Sequence, residues 1–336
     1  MGCMANPKRG ITPALETGEN TMSAFGKTST TDDVLAGIDL SGKTVFVTGG
    51  NSGLGQETGR AMAAKGAHVI LAGRDQAKLD AAVAAIKAEQ PDAKLETIIC
   101  DLGSLDSVRA CGAEANERFK KIDLLINNAG VMACPLGHTA DGFEMQFGTN
   151  HLGHFVLTKH LMPLVEAGQD KRIVNLSSRA HHMAPLNLED PNFENRDYNE
   201  WASYGQAKTA NVLFSVGLED RFASKGINAY AVHPGGIQTN LGRHMTEEQS
   251  AALIARVSTS DPDFAWKTIP QGAATQCWAA TAPELEGKGG VYCEDCHVAE
   301  LDDESSSGGV RSYALDKGTA DALWALSEQL TGETFA

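Results

Sequence analysis

The chain has 336 residues and a formal net charge of −15. Such a surface repels phosphate backbones and anionic headgroups, so nucleic acid is set aside as a partner. No uninterrupted apolar run approaches the roughly 20 residues that a bilayer-spanning helix needs, and the N-terminus lacks the apolar core of a signal peptide. Together these predict a cytoplasmic protein without a membrane span. Cysteines at Cys3, Cys100, Cys111, Cys134, Cys277, Cys293 and Cys296 make an odd, scattered count, which predicts reduced thiols.

Residues 1–22 are polar, rich in Gly, Pro and Thr, and without apolar period; they are expected to form a disordered leader. From there, 23–336 reads as one domain. K-T-V-F-V-T-G-G (Lys43 to Gly50) is a short apolar run ending in glycine, followed by helix-forming Q-E-T-G-R-A-M-A-A-K. A second strand, A-H-V-I-L-A-G-R, leads into A-K-L-D-A-A-V-A-A-I-K, where Leu79, Val83 and Ile86 share one helical face before Pro91 stops it. Further strands are predicted in L-E-T-I-I-C-D-L, D-L-L-I-N-N-A-G, R-I-V-N-L-S-S, I-N-A-Y-A-V-H-P and G-G-V-Y-C. Alternating β and helical segments imply a single-domain α/β Rossmann fold, a doubly wound seven-stranded parallel sheet with helices on both faces. Ligands bind such sheets at the carboxyl ends of the strands, near the point where strand order reverses.

The first such end reads T-G-G-N-S-G-L-G, with Gly49, Gly53 and Gly55 spaced between strand and helix. Glycine allows a tight turn and close approach of backbone to a pyrophosphate, which the free N–H groups of the helix N-terminus then stabilise. Asn51, Ser52 and Leu54 share the turn and are candidate cofactor contacts. At the end of the second strand, where an acidic side chain would grip the ribose of NAD, stand Gly73 and Arg74. A guanidinium there suits a 2′-phosphate and predicts NADP, with NAD as the alternative; Asp75 could instead pair with Arg74. Asp101 and Leu102, ending the third strand, are placed to meet the adenine, or Asp101 caps the helix that follows.

S-Y-G-Q-A-K puts Tyr204 and Lys208 four apart, on one face of a predicted helix. A phenol with a pKa near 10 is a poor base at pH 7. A cation about 4 Å away contributes about 4 kcal/mol at an effective dielectric of 20, enough to lower it by two or three units.

In chain order, T-G-G-N-S-G-L-G, N-N-A-G (Asn127 to Gly130), S-S before Y-x-x-x-K, and P-G-G-I-Q-T (Pro234 to Thr239) resemble the short-chain dehydrogenase/reductase family, over about Lys43 to Tyr292. The resemblance implies hydride transfer between a nicotinamide and an alcohol or carbonyl. It implies that Tyr204 exchanges the proton, that Lys208 lowers the tyrosine's pKa and holds the nicotinamide ribose, and that Ser178 orients the substrate oxygen. Ser177 is the rival to Ser178. Asn150, in F-G-T-N-H-L-G-H, would connect Lys208 to solvent through water. Asn127 would steady the sheet, with Asn128, Ala129 and Gly130 beside the cofactor, and Pro234, Gly235, Ile237 and Thr239 would form the loop next to the nicotinamide. Pairing into a homodimer or homotetramer through the helices bearing these residues is also implied.

Ser178 and Tyr204 lie 26 apart, with an inserted H-H-M-A-P-L-N-L-E-D-P-N-F-E-N between them. The insertion looks like the retinol-dehydrogenase-like branch, which implies a small lipophilic alcohol or carbonyl substrate. His181 and His182 either line the substrate mouth or are merely exposed. Apolar residues between about 241 and 276, among them Met245, Leu253, Val257 and Trp266, are expected to form a substrate lid, or else to pack on the core.

V-Y-C-E-D-C-H (Val291 to His297) matches the haem-attachment pattern C-x-x-C-H. Haem attachment needs export, and Cys293, Cys296 and His297 offer only three of the four ligands of a structural zinc site, so neither haem nor metal is expected. A nonenzymatic regulator that senses NADP(H) would keep the same fold, but it would have no need of Tyr204.

Overall fold

Five consecutive residues with no exposed face, Thr44–Thr48, form β1, which therefore lies inside a sheet covered on both sides. The computed structural model describes residues 24–242, 245–260 and 264–335; the expected leader lies outside the described residues. A short helix, α1 (Thr31–Val34), precedes β1, and α2 (Gly53–Ala63) follows it. Next come β2 (His68–Gly73), α3 (Gln76–Glu89), β3 (Lys94–Ile99), α4 (Leu105–Arg118) and β4 (Leu124–Asn127). A short α5 (Met145–Phe147) runs through a π-helical turn, Gly148–Leu152, into α6 (Gly153–Glu166). The chain continues through β5 (Arg172–Leu176), α7 (Glu200–Phe222), β6 (Asn228–His233), α8 (Glu247–Ser260), α9 (Ile269–Thr281), β7 (Val291–Glu294), β8 (His297–Val298) and α10 (Lys317–Thr331).

The strand order is β3-β2-β1-β4-β5-β6-β7-β8, parallel through β7. Order reverses between β1 and β4, so a crevice opens at their carboxyl ends. Alternation along β1 sorts the core: Val45 and Val47 pack with Met62, Leu79 and Ala274 of α2, α3 and α9, while Phe46 faces Val108, Phe155 and Phe214 of α4, α6 and α7.

The expected seven parallel strands are extended by β8, which pairs antiparallel with β7. This hairpin is the C-x-x-C-H segment. Asp295 (φ 46°) and Cys296 (φ 59°) form its two-residue turn, both in the left-handed region that a right-twisted hairpin demands. Cys293 and Cys296 are buried in the core, and burial pushes both thiols up, Cys296 to about 11. These sulfurs serve as small apolar groups.

Past the hairpin, α10 packs across α7 and α6. Trp324 is buried against Phe155 and Phe214, with ring centroids 5.2 and 5.8 Å away. Glu333 just beyond α10 pairs with Arg109 of α4 and Lys159 of α6, each at 2.8 Å. Under this cover α7 is buried continuously from Ser203 to Ser215. Among the described residues no helix is long and apolar enough to cross a membrane.

Candidate active site

The turn after β1 is shaped by glycine. Gly53 has φ +55°, and a Cβ added there would touch Thr239 Cγ2 at 3.6 Å, so the Thr239 loop closes over the turn. A Cβ on Gly55 would collide with the carbonyl of Gly49. Gly55 thus allows the turn to pack closely against Gly49 at the start of α2. Ser52, at the N-cap of α2, makes no side-chain capping bond, so the first N–H groups of that helix are left for another acceptor, and they fit an anion.

Around the turn runs a cleft of about 1200 Å³, larger than the few hundred Å³ one small ligand occupies. Gly49, Asn51, Ser52, Gly53 and Leu54 line one end together with Arg74, Asp101 and Leu102. Arg74 is exposed and, among the described residues, makes no ion pair. Asp75 does not pair with it: its carboxylate accepts from Lys78 N–H at 3.1 Å as the N-cap of α3 and lies 3.4 Å from Lys78 Nζ. Lys78 also lines this end and was missed in the sequence, where it reads as one more exposed helix lysine. Asp101 accepts from Gly103 N–H at 3.0 Å; α4 is capped by Ser104 instead.

Asn128, Ala129 and Gly130 line the middle of the cleft. Backbone N–H groups of Asn128 and Ala129 both donate to Thr48 Oγ1 at 2.9 Å, fastening that loop to the end of β1. Asn127 points away: it donates to Asn175 Oδ1 at 2.8 Å and Thr158 Oγ1 at 3.0 Å, tying β4 to β5 and α6. On the opposite wall stand Pro234, Gly235, Ile237 and Thr239.

Tyr204 and Lys208 lie one turn apart on α7, each only 4 % exposed, and both reach the cleft. Ser178 lines the cleft with Tyr204, and its hydroxyl favours the ionised form of the phenol. The rival Ser177 also borders the cleft, but its hydroxyl is engaged, donating to Lys208 O at 2.8 Å. Lys208 Nζ donates to Leu176 O at 2.8 Å. Burial pushes the Tyr204 phenol up to about 12, against the relief from Ser178, and pushes Lys208 down to about 7. The expected lowering of the phenol by its neighbour is therefore not what the protein alone produces. Desolvation of two buried groups favours both neutral forms and outweighs their mutual attraction.

Asn150 sits in the π-helical turn, fully buried and off the cleft lining. Its side chain accepts from Val131 N–H at 2.8 Å and donates to Val131 O at 2.9 Å, which fixes the backbone next to Gly130. A Cβ on Gly130 would lie 3.0 Å from Asn150 Oδ1 and 3.7 Å from Lys208 Nζ, so the two residues flank that glycine.

His154 was not read as a site element, whereas His181 and His182 were expected either at the substrate mouth or on the exposed surface. His154, neutral with its pKa held near 4 by burial, bonds to Asn150 O and to Thr48 Oγ1, each at 2.9 Å. His181 is buried, with Nδ1 on Ser178 O at 2.8 Å and Nε2 accepting from Arg311 N–H at 3.2 Å. His182 lines the cleft. The stretch expected to form a lid divides. Met245 and, on α8, Leu253, Ile254 and Val257 line the cleft with Phe264 and Trp266, whereas Ile269 to Gln276 form the first half of α9 and pack on α2.

A family profile described as short chain dehydrogenase matches residues 43–250. Short-chain dehydrogenase TIC 32 B, chloroplastic, from Brassica napus is 39 % identical over 324 residues, covering 94 % of this chain and 96 % of that protein. Retinol dehydrogenase 13 from Homo sapiens is 40 % identical over 296 residues, covering 87 % and 86 %. A crystal structure of an uncharacterized protein from Mycobacterium Paratuberculosis superposes with a TM-score of 0.68 at 36 % identity, covering 89 % of this chain and 96 % of that one.

Proposed function

The chain belongs to the short-chain dehydrogenase/reductase family and is an oxidoreductase acting on CH–OH and C=O groups; from that premise we propose that it moves hydride between NADP(H) and a lipophilic alcohol/carbonyl pair. The observation that carries this reading is the meeting of Tyr204, Ser178 and Lys208 in a cleft that has the glycine turn at one end and apolar α8 side chains at the other. A bound nicotinamide dinucleotide supplies the hydride. Its pyrophosphate suits the first turn of α2, and a 2′-phosphate suits Arg74 and Lys78, which stand where Gly73 leaves no carboxylate.

The remaining chemistry falls to the chain. In reduction Tyr204, protonated at neutral pH, gives its proton to the carbonyl oxygen while Ser178 donates a hydrogen bond that orients the same oxygen. Lys208 lies close enough to share the charge left on the phenolate. Asn150 acts on this centre through backbone, by holding Val131 beside Gly130. Leu253, Ile254 and Val257 exclude water from an apolar substrate.

Incubating the purified protein with NADPH or NADH and a panel of aldehydes, retinoids, steroids and aromatic ketones, while following nicotinamide absorbance, tests the reading. Carbonyl-dependent loss of NADPH, faster than that of NADH, is the expected result. Binding of dinucleotide with no turnover across the panel would favour the regulator that senses NADP(H), and equal or better use of NADH would favour the NAD-dependent alternative.

A further inference from the structure

β6 ends at His233, whose imidazole lines the cleft beside Ser178. Its Nδ1 accepts from the backbone N–H groups of Arg179 at 3.2 Å and Gly235 at 3.4 Å. A ring nitrogen that receives two N–H donors offers them its lone pair and carries no proton, so the proton of the neutral ring is on Nε2. Burial, with Arg179 and Lys267 nearby, holds the ring's pKa well below the usual range and keeps this tautomer neutral. Among the described residues nothing accepts from Nε2.

The same ring lines a second cavity of about 210 Å³, which shares Arg179, Gly235, Gly236 and Phe264 with the cleft. The walls differ in kind. Where α8 presents aliphatic side chains, this cavity is bordered by Glu294 and by Lys267, whose Nζ lies 2.5 Å from Asp295 Oδ1. It has room for a polar substituent and several waters.

A fixed N–H donor facing hydrocarbon forfeits its hydration, whereas one facing an oxygen recovers it. We propose that His233 Nε2–H receives a second oxygen of the substrate, so that the preferred carbonyl compounds are hydroxy-ketones or dicarbonyls whose extra oxygen lies a few atoms from the reacting carbonyl. This rests on the hydride-transfer reading above and narrows it from lipophilic carbonyls in general to those with one polar arm.

The test compares 1-phenylpropan-1-one with 1-phenylpropane-1,2-dione in the wild type, His233→Asn and His233→Gln, by kcat/KM with NADPH and by Kd in calorimetry. Each ketone is compared with itself across variants, so the dione's intrinsic reactivity cancels. Asn can keep an acceptor for the Arg179 and Gly235 N–H groups but has no N–H at the reach of Nε2; Gln has the donor and lacks the acceptor. Both constants should worsen about three- to tenfold for the dione in the Asn variant, with the monoketone unchanged, and Gln should retain the dione preference. If position 233 is only a strut, Gln is the more damaged variant and both ketones suffer alike, which overturns the subsite, as does an Asn variant that loses nothing. Absence of turnover with either ketone, alongside a selective loss of dione binding in the Asn variant, would sink hydride transfer and leave the subsite standing.

Discussion

Lys208 donates its side-chain nitrogen to the carbonyl of Leu176 at 2.8 Å and holds it 5.7 Å from the centroid of the Tyr204 ring. The lysine is therefore anchored to the end of β5 beside the phenol. Burial lowers Lys208 to about 7 and raises Tyr204 to about 12, so at neutral pH the tyrosine keeps the proton that carbonyl reduction consumes. Reduction should slow as pH rises through about 7, where Lys208 loses the charge that steadies the nascent phenolate, whereas alcohol oxidation, which needs the phenolate, should climb with pH. Tyr204→Phe should lower turnover at least about a hundredfold and leave the NADPH Kd within about twofold; stopped-flow fluorescence and steady-state rates separate the two. A variant with near-normal rates would remove Tyr204 from the chemistry.

Arg74 should read the 2′-phosphate. Arg74→Ala is expected to weaken NADPH about ten- to a hundredfold, the range of a lost charge-assisted hydrogen bond, and to change NADH little. Lys78→Ala should act in the same direction and more weakly, because Lys78 already divides its charge with Asp75. Affinities for the two dinucleotides, measured for each variant, check this; an unchanged ratio would show that neither side chain meets the phosphate.

Acid should unfold the protein through its buried histidines. Burial depresses His151 and His181 to about 3 and His154 to about 4, against roughly 6.5 in an unfolded chain. Between pH 6.5 and 4 the unfolded chain takes up protons that the folded one refuses, so stability falls on acidification by up to about 1.4 kcal/mol per pH unit for each histidine. Above pH 6.5 this contribution is constant. Urea midpoints from pH 7.5 to 4.5 measure it, and His151→Phe, which retains a ring against Phe147, should flatten the slope by about one proton.

Removing Trp324 should uncover α7. Trp324→Ala is expected to cost about 3 to 5 kcal/mol, the usual loss for a buried large aromatic, since the side chain fills the space among Phe155, Phe214, Phe222 and Phe335. Chemical denaturation checks the magnitude. A loss below about 1 kcal/mol would mean that α10 is only loosely held.

Features that depend on neighbours in the chain were legible in it. Apolar period marks β1 through β7 and the helices between them, glycine spacing marks the turn before α2, and an interval of four puts Tyr204 and Lys208 on one face of α7. Two of these local signals have a second physical use. C-E-D-C-H is at once a haem-attachment pattern and a hairpin whose turn holds Asp295 and Cys296 at positive φ. Gly55 belongs to the phosphate motif, yet its smallness serves packing against Gly49.

What composition and period alone determined is the order of strands and helices and the kinds of chemistry their ends can hold, because hydrophobic spacing and backbone freedom act over a few residues. Folding decided the states of the groups. His233 became a one-sided donor through Arg179, 54 residues away, and His181 was locked by Arg311, 130 residues away. Tyr204 and Lys208 acquired their neutral preference only when the sheet and α10 had taken the water from around α7. Proton affinity and hydrogen-bond direction depend on what surrounds a group in space, and that surrounding is assembled from parts of the chain that no local pattern connects.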